Sequence, residues 1–159
     1  MKTTHKRRCV SLGLILFVGL INLSCGKKTD TGEDPKVTTM GSLEVTAKLV
    51  EIKGELPDIP LYDYAFVFKY EVLKTYRGQL DAKTIYVGQY NPLKPRSSVA
   101  DARSGEIGGN LKKFQVGDIH RLALEVPIDD YFMGGIVNRY FEENVSPIYW
   151  AVWTNLVIE

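Results

Sequence analysis

Apolar and polar positions alternate through most of the chain after residue 41, and the alternation predicts five strands. In Ser42 to Ile52, Leu43, Val45, Ala47 and Leu49 share one face, and then the phase slips to Val50 and Ile52. A one-residue slip inside a strand predicts a bulge or a strong bend. Tyr64 to Tyr76 puts Tyr64, Phe66, Phe68, Tyr70 and Val72 on one face, with Ala65, Val67 and Leu73 on the other. A strand so long and so aromatic is too bulky to lie flat on water, which predicts that it spans two cores by bending. Arg77-Gly78-Gln79 turns the chain, and Lys83 to Tyr90 returns as the third strand.

Residues 91 to 113 break the pattern. Pro92 and Pro95 oppose regular pairing, and Gly105, Gly108 and Gly109 permit sharp turns. Alternation resumes after Gly117-Asp118, with His120, Leu122, Leu124 and Val126 on one face until Pro127. Between Asp129 and Asn144 the spacing of Phe132, Ile136, Val137, Tyr140 and Phe141 changes to a helical one, weakened by Gly134-Gly135. Asp129 or Asp130 is suited to cap such a helix. Ile148 to Leu156 closes the chain as an aromatic strand. The elements predict a mainly β fold: a five-stranded Greek-key barrel of OB type, with one short irregular helix between the last two strands.

The first 24 residues belong to no strand. Lys2, Lys6, Arg7 and Arg8 precede an apolar run from Val10 to Leu23 that is short for a membrane span. Basic start, apolar run and small residue form a secretory signal pattern. Asn22-Leu23-Ser24-Cys25-Gly26 resembles a bacterial lipobox, in which Cys25 becomes the lipidated first residue. Ser24 fits that pattern, whereas Asn22 stands where leucine is usual. The expected organisation is a signal peptide at 1–24, a disordered tether at 25–41, and a barrel domain at 42–159. The tether expectation rests on the polar, Gly- and Pro-containing stretch GKKTDTGEDPKVTTMG. The implied location is outside the inner membrane, lipid-anchored on the periplasmic or outer-membrane face.

Processing changes the charge picture. Loss of four basic residues takes the net charge from +1 to −3, which argues against a nucleic-acid partner. Cys9 leaves with the signal and Cys25 takes the lipid, so the domain is expected to fold without a disulfide. With 45% hydrophobic and 11% aromatic residues, a core can carry that stability. His120 remains as the one histidine, which leaves little basis for a zinc site, and neither metal nor cofactor is expected.

The order Phe66-x-Phe68-x-x-Glu71-Val72-Leu73-x-x-Tyr76-x-Gly78, then Thr84-Ile85-x-Val87, then Phe114-x-x-Gly117-Asp118-x-x-x-Leu122 resembles bacterial members of the TIMP/netrin-type OB domains, across roughly Leu43 to Glu125. The resemblance implies a barrel of OB type. It does not carry over metalloprotease inhibition, because the N-terminal cysteine pair that chelates zinc in the eukaryotic inhibitors is missing.

Candidate chemistry is sparse. A hydrolase would be centred on His120 and Asp118, but no G-x-S-x-G elbow is present, and a hydrogen-bonded histidine near a barrel end accounts better for His120's apolar neighbours. The loop after the third strand offers Asn91, Lys94, Arg96 and Arg103 as contacts for an anionic group. Trp150 and Trp153 offer platforms for sugar rings, although their opposite parity in one strand expects at least one in the core. The function these features support is a lipid-anchored binding or accessory protein of the cell envelope, taking a protein partner or a polysaccharide. The alternative is an envelope glycan- or ester-acting enzyme built on His120 and Asp118.

Overall fold

The computed structural model describes residues 30 to 158. The signal segment and Cys25 lie outside the described residues. Six strands form: β1 (Leu43–Glu51), β2 (Tyr64–Arg77), β3 (Thr84–Tyr90), β4 (Ile119–Glu125), β5 (Gly135–Val137) and β6 (Ile148–Val157). Five of them close on themselves in the order β1-β4-β6-β3-β2, with β2 returning to β1. The expected OB-like barrel is therefore the fold.

Closure follows from β2. Its first half pairs with β3 from Ala65 to Glu71, and its second half pairs with β1 from Lys69 to Arg77. Three register shifts along β1 against β2, the last between Leu49 and Glu51, supply the bend that the phase slip predicts. The alternation sorts two cores. Val45, Ala47, Leu49, Phe66, Phe68, Tyr70, Ile85, Val87, Leu122 and Leu124 fill the barrel. Outside the wall, Ala65, Tyr90, Ala123, Trp150 and Val152 form a second core under Val37, Val99, Ile107, Ile128 and Phe132. Phe132 stacks on Trp150 with ring centroids 4.8 Å apart. Gly88 leaves the space that Ile128 fills against β3; a Cβ there would collide with it.

Two expectations change. The stretch 129–144 forms no α-helix. A three-residue 3-10 turn at Ile128–Asp130, with neither aspartate capping it through its side chain, is followed by β5, which adds in parallel to Tyr64–Phe66 of β2. Gly134-Gly135 weakens the helix, and the start of β2 offers backbone partners there. The apolar residues then disperse: Phe132 enters the outer core, Tyr140 is buried beside Tyr86, and Phe141 is exposed.

The tether expectation also fails for residues 30–41, which dock on the barrel. Val37 is fully buried. The Asp34 carboxylate receives hydrogen bonds from the amides of Lys36 and Val37, from Trp153 Nε1 at 3.0 Å, and from Asn155 Nδ2. Burial opposes its ionisation, but these four donors together hold its carboxyl below the ordinary range. Arg77 donates to the carbonyls of Thr38 and Met40 and pairs with Glu44 at 3.1 Å. Arg121 in turn holds Glu44 at 2.7 Å and Glu33 at 3.7 Å. Asp30 pairs as a bridge with Ile158. The stretch is polar overall, but the few groups that order it, Asp34, Val37 and Met40, meet matching groups on β2, β4 and β6.

Candidate functional site

Inside the barrel, polar groups line up. Thr154 donates to Gln89 Oε1 at 3.3 Å, Gln89 Nε2 donates to the Tyr70 hydroxyl at 3.5 Å, and Tyr70 lies 3.1 Å from His120 Nδ1. With Tyr70 accepting from Gln89, its own proton points to Nδ1, so neutral His120 carries its proton on Nε2. That nitrogen has no hydrogen-bond partner and lies 3.9 Å from Asp118 Oδ2. Burial pushes the His120 value down to about 4 and the Tyr70 hydroxyl well above its usual range. His120 is 0% exposed, so as placed it meets no substrate from solvent. The structure corrects the candidate pair His120 and Asp118: His120 belongs to the barrel's polar interior, and of the two only Asp118 reaches solvent.

Arg96 is corrected too. It is 1% exposed, lies over the Phe114 ring at 5.1 Å, and donates from Nη2 to the carbonyls of Asn91 at 2.8 Å and Lys94 at 2.9 Å. Its desolvation lowers it to about 10, still charged at neutral pH. Arg96 therefore fixes the turn that follows β3 from beneath. Trp150 is 0% exposed in the outer core, and Trp153 is tied to Asp34 and covered by Gly108. A register shift leaves one extra residue in β6, where Ala123 faces Trp153 and Leu124 faces Ala151. Both tryptophans consequently serve the outer core, and neither is a free sugar platform.

Open to solvent is a cleft of about 580 Å³ between the β1–β2 loop and the turn after β3. Asp58, Ile59, Pro60, Leu61, Tyr62 and Asp63 form one side, and Asn91, Leu93, Lys94 and Asp101 the other. Its walls are braced. Tyr64 donates to the Pro57 carbonyl at 2.5 Å, and Asn91, at φ +40°, exchanges hydrogen bonds with the Tyr64 backbone while its Nδ2 donates to Asp63 at 2.7 Å. Asp101 accepts from the Tyr90 hydroxyl at 2.7 Å and from the amides of Arg103 and Ser104. Against its desolvation, these bonds hold the Asp101 carboxyl below the ordinary range. Lys94 lies 3.4 Å from Asp63 and is half exposed.

Four large apolar side chains, Ile59, Leu61, Tyr62 and Leu93, stand exposed here. Leu61 is the extreme: it is fully exposed and holds φ +68°, a conformation costly for a residue with a Cβ. With three carboxylates against one lysine, the cleft combines apolar surface with negative charge.

Of the contacts expected from sequence, the cleft brings together Asn91 and Lys94. It excludes Arg96, and Arg103 borders a separate depression beside Tyr131 and Met133. Asp58, Leu61, Tyr62, Asp63 and Asp101 were not marked by sequence pattern; the signal was the placing of Ile59, Leu61 and Tyr62 in a Pro-punctuated loop outside any strand. Among the described residues no three His, Cys, Asp or Glu side chains converge as ligands for a metal ion. Compared with known proteins, the chain matches no family model, no curated protein and no solved structure.

Proposed function

We propose that the chain is a binding protein of the cell envelope, anchored through a lipid on Cys25, whose cleft captures an extended, apolar and basic segment of a protein partner. The observation that carries this reading is Leu61, held fully exposed at positive φ in an acidic cleft. Strained backbone persists where surrounding structure enforces it and concentrates at functional sites. Aliphatic side chains such as Ile59, Leu61 and Leu93 suit apolar side chains of a partner better than the flat faces of sugars, and the carboxylates suit its lysines or arginines. Export and anchoring are supported by the Lys2–Arg8 basic start, the Val10–Leu23 apolar run and Ser24-Cys25. Kinship with TIMP/netrin-type domains is part of the proposal, supported by the motif order and compatible with the closed barrel.

Tyr62, half exposed among three carboxylates, favours a second reading, a glycan stacked on its ring. Parallel peptide and glycan arrays separate the two. Retention of peptides joining Leu or Ile to Lys or Arg, weakened in 1 M salt and by Asp63→Lys, supports the first reading. Retention of neutral oligosaccharides alone supports the second, and retention of neither defeats both.

A further inference from the structure

We propose that the barrel end bearing Asp30, Lys112, Lys113, Val116 and Ile158 is a membrane-facing surface that rests on anionic lipid headgroups. The inference rests on the Cys25 anchoring reading and adds to it which side of the domain meets the bilayer. Because residues 30–41 are docked, the length of chain between Cys25 and the barrel is not the whole of 26–41. It is the five steps from Cys25 to Asp30, spanning at most about 18 Å, where an undocked segment to Ser42 would reach about 60 Å. Asp30 is fixed by its bridge to Ile158 at the end of β6, where the Ile158 amide donates to the Asp30 carbonyl at 2.8 Å. The lipid must therefore enter the bilayer close to this end of the barrel.

The side chains there fit the task. Lys112 and Lys113 are exposed and line one depression with Asp30, Gln115, Asp118, Leu156 and Ile158. Val116, in the turn before β4, and Ile158 present half-exposed apolar surface beside them. Lys27 and Lys28 lie in the connection itself. Two acids share this depression: Asp30, which accepts from the Gly32 amide at 2.9 Å, and part-buried Asp118, 3.9 Å from His120. The basic excess of this end therefore rests on Lys27 and Lys28 together with Lys112 and Lys113. Each lysine near an anionic leaflet strengthens attachment by about fivefold, and apolar side chains between them add shallow burial. The opposite end of the barrel is the β2–β3 turn at residues 78–83. The register sets it there: Lys48 of β1 faces Ile119 at the membrane end, and Glu44 faces Arg77 at the other.

The full chain, produced in its acylated form, is reconstituted in vesicles of phosphatidylethanolamine and phosphatidylglycerol containing a headgroup-nitroxide lipid. A fluorophore is placed through Val116→Cys or Asp81→Cys, both exposed positions. The expected result is several-fold stronger quenching at 116 than at 81, with the contrast reduced by Lys112→Glu with Lys113→Glu. Equal quenching at the two positions, or more at 81, overturns the orientation while leaving the anchor in place. Failure of the protein to float with vesicles overturns the anchoring reading and the orientation together.

Discussion

The inside of the barrel and the cleft beside it both hold groups that sequence reasoning ranks as chemical, and the fold treats them in opposite ways. Inside, Gln89, Tyr70 and His120 are joined by hydrogen bonds and shut from water. In the cleft, Asp58, Asp63 and Lys94 stand beside apolar side chains that packing would ordinarily remove from solvent. Sequence alone preferred the loop after β3 for binding and kept the histidine as the alternative centre. Burial agrees with that order, because a group that binds or reacts must be met by its partner, and exposed Leu61 meets one more readily than His120.

The contrast can be broken most forcefully at the seam where residues 30–41 seal the outer wall. Glu44→Ala leaves Arg121 buried without its close carboxylate, which is expected to cost about 3–5 kcal/mol, read by urea denaturation. A loss under 1 kcal/mol would mean that this wall is more open to water than its geometry implies. Next is the interior. The folded-state value of His120, about 4, lies below its ordinary 6.5, so the folded chain binds fewer protons than the unfolded one. Its contribution is complete above pH 6.5 and is lost as pH falls toward 4, by about 3 kcal/mol. His120→Gln is expected to flatten that part of the stability–pH profile, and an unchanged profile would show that His120 is wet.

A smaller effect is expected from Asp34→Ala, which removes the acceptor of four hydrogen bonds and is expected to cost about 1–3 kcal/mol. Hydrogen exchange over residues 30–41 is expected to accelerate in the same variant; unchanged protection there would show that Val37 and Met40 suffice. In the cleft, Leu61→Asn places a residue tolerant of positive φ at an exposed position, so stability is expected to stay level or rise by up to about 1 kcal/mol. Peptide retention is expected to fall in the same variant. A clear loss of stability would show that Leu61 serves packing and not recognition.

Most of the barrel was legible because each strand declares itself by period-two burial. Tyr64, Phe66, Phe68 and Tyr70 predicted the interior face of β2, and the slip after Leu49 predicted the irregular register against it. The misses occurred where long-range partners decide. Residues 30–41 read as tether because three ordering groups are diluted in polar sequence, and their partners, Arg77, Trp153 and Asn155, are distant in the chain. The helical spacing of Phe132 to Phe141 was real, but the free edge of β2 captured Gly135–Val137. Trp150 and Trp153 were assigned opposite faces by parity, and a register shift in β6 removed the parity. The cleft was half legible: Asn91 and Lys94 were marked by the irregular loop, whereas Asp58 to Asp63 looked like an ordinary Pro-rich connection.

The central claim, that the cleft and not the barrel interior is the working surface, is tested most directly by site-specific photocrosslinking in the producing cell. A photoreactive residue at Leu61 is compared with one at Leu73, which is half exposed on the barrel wall outside the cleft. The account expects one discrete adduct from position 61, lost with Asp63→Lys, and none from position 73. Identical adducts from both positions, or none from 61, would contradict it.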